Sequence, residues 1–275
     1  MNDAVSSSIA ESPDAAYAPK GEGLYRSNEL TRGPWHEQQQ HAGPPIALVV
    51  HALLEAAAKH GLTHLARLTA NLLRPVPIGD ITVQVQEDYV GRNAGHFAAV
   101  AQADGKALIR VTALFQREEA VHLPDTLPGH PLPRMAPLSA HSKPHKMTFP
   151  HDLVGYADLM ETRVAAGRMF DGPSAVWFRL RHPIVQGLEP SPYERVAVAA
   201  DSGNGISAVL DLRNYIFVNS DLTINLLRRP VGEWICLEAR THLSSQGGGL
   251  AESALYDEQG LIGRATQSLF VRKRP

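Results

Sequence analysis

One pattern occurs twice in this chain. Leu68-Thr69-Ala70-Asn71-Leu72-Leu73-Arg74 returns as Leu222-Thr223-Ile224-Asn225-Leu226-Leu227-Arg228, and the stretch from Ala103-Asp104-Gly105 to Phe115 returns from Asp257-Glu258-Gln259-Gly260 to Phe270. Thr69 and Thr223 stand 154 positions apart, Phe115 and Phe270 155. A near-constant offset over about fifty residues marks an internal duplication. The two halves are therefore expected to form the same supersecondary unit. Chemistry is expected where they diverge, as at Gln267, which matches Thr112 at the longer offset.

The first unit reads as one helix followed by strands. Pro44 and Pro45 suit the first turn of a helix over Ile46 to His60, and Gly61 suits its end. That run is apolar on nearly every side, so most of its surface should be buried. From Ala66 to Phe115 the sequence alternates as antiparallel strands do, most cleanly at Ile81-Thr82-Val83-Gln84-Val85-Gln86, with turns at Gly79-Asp80, Gly91-Arg92-Asn93 and Asp104-Gly105. A sheet curved around the helix would bury it on all sides.

In the second unit, Ser191-Pro192-Tyr193-Glu194 has the form of a capping box and starts a helix that ends near Gly203 or Gly205. Strands are expected near Tyr215–Val218, Ser220–Leu227, Trp234–Leu243, Gly249–Asp257 and Leu261–Arg272. Cys236 reads as a small buried filler. The expected organisation is a disordered tail over 1–20, one unit over 21–118, a Pro/His-rich crossover over 119–150 and the second unit over 151–275.

Two polar residues stand where packing alone would not put them. Asp201 follows the apolar run Val196 to Ala200, so its carboxylate is desolvated, and it lies near a helix C-terminus, whose dipole disfavours negative charge. Gln267 shares a strand face with Ala265 and Leu269, so its amide should point inward and need partners. Asp201 could equally bond the amides of the turn that follows, and Gln267 could be a packing amide. Asp221 reads as structural.

Charge and motifs exclude other classes. The net charge is −2 and the pI about 6.7, so no strong field favours nucleic acid or an anionic membrane. No window reaches the ~18 apolar residues of a membrane-spanning helix, and the start lacks a signal-peptide pattern. With a single cysteine the expected location is the cytoplasm. There is no G-x-S-x-G, H-E-x-x-H, paired C-x-x-C or Walker motif, which favours an activated water over covalent or metal chemistry. No cofactor is expected.

One helix embraced by an antiparallel sheet, present twice, resembles the double hot-dog fold of the acyl-CoA thioesterase II family, an α+β class. Its motifs are Glu29-Leu30-Thr31-Arg32-Gly33-Pro34-Trp35, His41-Ala42-Gly43-Pro44-Pro45, Leu73-Arg74-Pro75, Ala200-Asp201, Ser220-Asp221-Leu222-Thr223 and Ala265-Thr266-Gln267. The resemblance implies hydrolysis of a fatty acyl-CoA by a water held between an Asp, a hydroxyl residue and a Gln of the second unit. Asp201 and Gln267 match. The hydroxyl position is Asn219, a departure for which Thr223 is the nearby hydroxyl. His41 and Gly43, at the first helix start, are the substrate-binding candidates. The expected partners are acyl-CoA and further copies of the chain. Two other readings follow from the same residues: a non-catalytic acyl-CoA or fatty-acid binding protein, suggested by Asn219, and a hot-dog hydratase or dehydratase using His41.

Overall fold

The computed structural model describes residues 14–124, 127, 132–134, 143–147 and 152–274. The chain begins with β1 (Tyr17–Gly21) and β2 (Leu24–Ser27), then α1 (Gly43–Ala58), and returns through β3 (His64–Leu72), β4 (Asp80–Val90), β5 (Ala94–Ala103) and β6 (Lys106–Gln116). After the crossover come β7 (Lys143–Pro144), α2 (Tyr156–Leu159), β8 (Met160–Gly167), β9 (Ser174–Leu180), α3 (Pro192–Ala200) and α4 (Gly203–Ile206). Five strands finish the chain: β10 (Tyr215–Asn219), β11 (Asp221–Leu226), β12 (Ile235–Leu243), β13 (Gly248–Asp257) and β14 (Gly260–Lys273). Among the described residues the strands join one antiparallel sheet in the order β1-β2-β4-β5-β6-β3-β11-β14-β13-β12-β9-β8-β7, with β10 beside β11 on the edge of β14.

The two halves meet at β3 and β11. Thr69 pairs with Thr223, Leu68 with Ile224 and Ala70 with Leu222. Because the duplication equates Thr69 with Thr223, this pairing maps onto itself when the halves are exchanged, as at a twofold interface. A local pseudo-dyad therefore passes between the two threonines, whose hydroxyls are 3.2 Å apart.

The register also corrects the sequence alignment. Thr69 pairs with Thr112, and Thr223 with Thr266. The counterpart of Gln267 is thus Ala113, not Thr112. Phe115 is fully buried whereas Phe270 is about half exposed, since a slip of one residue moves a side chain to the other face of a sheet.

α1 is buried along most of its length, against β4, β5, β6 and α3. Gly61, shortly after its last residue, has a φ of +66° that suits glycine and reverses the chain, with the Leu62 N–H returning to the Ala57 carbonyl. The expected long helix of the second half is instead broken: α3 spans nine residues, and the chain turns through Asp201 and Ser202 before α4. One apolar cluster contains both helices and strands of both halves.

Two expected boundaries move. Ala15, Ala16 and Tyr17 are buried and β1 pairs with β2, so the fold begins inside the expected tail. Much of the crossover lies outside the described residues, but Lys143–Met147 packs on the second half: β7 pairs with β8 and Met147 is buried.

Candidate active site

The capping box of α3 is formed. Ser191 accepts from the Glu194 N–H, and the Glu194 carboxylate accepts from the Ser191 N–H. The helix ends on Asp201, which is buried. The Asp201 carboxylate is held from three elements. Oδ1 accepts from Asn219 Nδ2 at 2.7 Å on β10 and from Gln267 Nε2 at 3.4 Å on β14. Oδ2 lies 3.0 Å from His41 Nδ1, at the entrance to α1 in the other half. Gln267 also donates to the Asp201 backbone carbonyl at 3.1 Å, and its Oε1 accepts from the Asn204 N–H at 2.8 Å. Gly203 allows this approach, since a Cβ there would meet Ser253 Oγ at 2.7 Å and Gln267 Oε1 at 3.1 Å.

Asp201, Gln267, Asn219 and His41 therefore converge. Thr223 does not join them: its hydroxyl is bonded to Thr69 on the pseudo-dyad. Gly43 stands behind the site. Its N–H donates to His41 Nδ1 at 3.1 Å, and a Cβ would meet the Val198 carbonyl oxygen at 2.5 Å, so its role is to let α1 approach α3. Asp221 accepts from the Ser268 N–H and hydroxyl, fixing β11 to β14.

His41 Nδ1 lies within bonding distance of both Asp201 and the Gly43 N–H, and one ring nitrogen serves them alternately. Protonated, it donates to Asp201; bare, it accepts from Gly43. The ring is stacked on Tyr156, with centroids 3.8 Å apart and planes 3° from parallel. Burial holds the Tyr156 phenol well above its usual pKa, and its hydroxyl donates to the Val198 carbonyl and meets Ser202 Oγ at 2.8 Å. It is a neutral support. Behind the loop that carries His41, Gln40 accepts from the buried Tyr17 hydroxyl and donates to Ser27 Oγ and the Pro77 carbonyl.

A cavity of about 370 Å³ opens beside the carboxylate. The ladder joining the halves ends where Leu72 bonds Ser220, and the cavity is lined by Leu72–Val76 on one side of this seam and Phe217–Ser220 on the other. His41, Asp201, Asn204 and Asn219 are among its polar residues; Trp35, Val76, Met147, Phe170, Ile206 and Phe217 supply apolar wall. Arg74 also lines it and is exposed. Asn204 is buried with Nδ2 donating to the Phe217 carbonyl, which leaves Oδ1 without a protein donor among the described residues.

Tyr156, Asn204 and Met147 escape the sequence reading. Asn204 alone had a local signal, an amide within one helical turn of Asp201. Among the described residues no cluster of His, Cys, Asp and Glu has the form of a metal site, and no helix is long and apolar enough to cross a membrane.

The profile of a family described as the acyl-CoA thioesterase C-terminal domain matches residues 125–271, and that of the acyl-CoA thioesterase N-terminal domain matches residues 31–116. No curated protein matches the sequence. Among solved structures, a putative thioesterase from Novosphingobium aromaticivorans is 18% identical with a TM-score of 0.69, over 93% of this chain and 98% of its own. A putative thioesterase II from Thermobifida fusca is 15% identical with a TM-score of 0.71, over 94% and 96%. The acyl-CoA thioesterase II TesB2 of Mycobacterium marinum is 15% identical with a TM-score of 0.62, over 92% of each chain. At such identities the likeness is one of fold, and a further neighbour from Alicyclobacillus acidocaldarius is described as a hot-dog fold.

Proposed function

From the premise that this chain belongs to the acyl-CoA thioesterase family and is a thioester hydrolase, we propose that it cleaves fatty acyl-CoA at the Asp201 site by attack of an activated water. The observation that carries the reading is the convergence of Asn219, Gln267 and His41 on the Asp201 carboxylate, which lines the cavity together with Asn219 and His41 while Gln267 supports it from behind. A water beside Asp201 gives one proton to the carboxylate as its oxygen attacks the thioester carbon. Gln267 and Asn219 fix the carboxylate by donating to it, while Asn219 Oδ1 remains as an acceptor for the water's second O–H. Asn219 thus supplies both the donor and the acceptor a hydroxyl would. Asp201 Oδ2 lies 3.0 Å from His41 Nδ1, so the proton taken up by the carboxylate can be shared with the ring. When the tetrahedral intermediate collapses, the C–S bond breaks and the CoA sulfur leaves with that proton. The apolar wall suits an acyl chain, and Arg74 at the rim suits the phosphates of CoA.

The test is CoA release across acyl-CoAs. Asp201→Asn keeps the shape and removes the base, so turnover is expected to fall by about 10²–10⁴-fold with folding intact. Gln267→Ala is expected to act in the same direction. Undiminished turnover in both variants would place the chemistry elsewhere.

A further inference from the structure

We propose that Phe170 is a specificity-determining residue of the acyl cavity, its ring held there by a strained backbone to limit the acyl group admitted. This rests on the hydrolase reading of the same cavity. Among the described residues two that are not glycine have positive φ: Asp104 at +49° and Phe170 at +65°. Asp104 shares the β5–β6 hairpin turn with Gly105, where such a φ belongs. Phe170 has no such explanation. A bulky aromatic residue avoids this region, and glycines of positive φ already flank it at Gly167, the last residue of β8, and at Gly172 in the loop.

The strain persists because the loop is fixed on both sides. Met169 is buried in the core. The Phe170 N–H donates to the Ile206 carbonyl at 3.2 Å, and the Gly172 N–H to the Ala208 carbonyl at 2.9 Å. Ser174 Oγ donates to the Ile206 carbonyl as well. Ile206 and Ala208 line the cavity themselves, so the loop is stitched to the cavity wall and Phe170 becomes part of it. Core packing is not the compensation, because the residue is 38% exposed. Strain of this kind collects at functional sites when the surroundings over-determine it. Phe170 completes an aromatic wall with Trp35 and Phe217, whose rings meet edge to face at 6.0 Å.

Phe170→Ala and Phe170→Gly both remove the ring, but only glycine relieves the backbone. Hydrolysis is to be measured from acetyl- to palmitoyl-CoA, alongside binding of the non-hydrolysable thioether analogues and thermal melting. Both variants are expected to raise the ratio of long-chain to short-chain kcat/KM by about tenfold or more, with a parallel shift in thioether affinity. The glycine variant is expected to melt above the alanine variant. An unchanged chain-length profile in both assays overturns the proposal, and an alanine variant at least as stable as the glycine variant overturns its account of the strain. A wild-type protein that binds the thioethers and hydrolyses nothing removes the hydrolase reading, and Phe170 is then judged on the affinity profile alone.

Discussion

Asn219 puts an amide where the family resemblance calls for a hydroxyl, and its amide donates to the Asp201 carboxylate. Nδ2 holds Asp201 Oδ1 at 2.7 Å, the shortest bond to that carboxylate. Asn219→Ala is expected to lower turnover about tenfold or more, since Asp201 then keeps only the long Gln267 contact on that oxygen. Asn219→Thr restores a donor and should retain more activity than the alanine variant. An alanine variant as active as wild type would make Asn219 a bystander. Asp201 and Gln267 were legible because each breaks an apolar pattern in its own element. Tyr156 was not, because a tyrosine in a four-residue helix gives no local sign that it will stack on a histidine 115 positions earlier. Thr223 misled for a related reason: its partner is its own duplicate, Thr69, and sequence alone does not place the dyad.

At the scale of elements, strands and turns followed the alternation of the sequence closely, and the errors were ones of register and length. Matching Phe115 to Phe270 was reasonable on residue type, yet only the ladder reveals that Leu269 is the inward counterpart. The second helix stops at nine residues because the network around Asp201 takes over from helix bonding. Its start meets α1 in a buried ion pair, with His51 Nδ1 and Glu194 Oε1 3.0 Å apart and Glu55 3.6 Å from the other ring nitrogen. The bond to Glu194 raises the His51 pKa against the opposing effect of burial, with the charges of both glutamates adding to it. A raised folded pKa stabilises below the unfolded value of about 6.5, and that stability is lost as pH rises through the folded pKa. The melting difference between wild type and His51→Gln should therefore be larger at about pH 5.5 than at about pH 8.5. A difference independent of pH would mean that the pair contributes only packing.

For the whole molecule the duplication predicts two units, and the packing makes them one. α1, α3 and strands of both halves share the larger apolar cluster, and the candidate site takes His41 from one half and Asp201 from the other. Thermal unfolding is accordingly expected as one transition, with calorimetric and van't Hoff enthalpies in agreement. Two resolved transitions would show that the halves fold independently. The duplication itself was plain in the sequence; the shared core was not, since it depends on which strands become neighbours.

The pairing of Thr69 with its own duplicate has a consequence for how the chain assembles. A seam that is symmetric under exchange of the halves offers β3 of one chain the same complementary edge on any other copy's β11. What favours the internal match is the tether between β6 and β7, which sets the effective concentration of one half about the other. Shortening that tether until the seam cannot close would leave both edges seeking partners, and the fold would then complete itself by exchange between two chains.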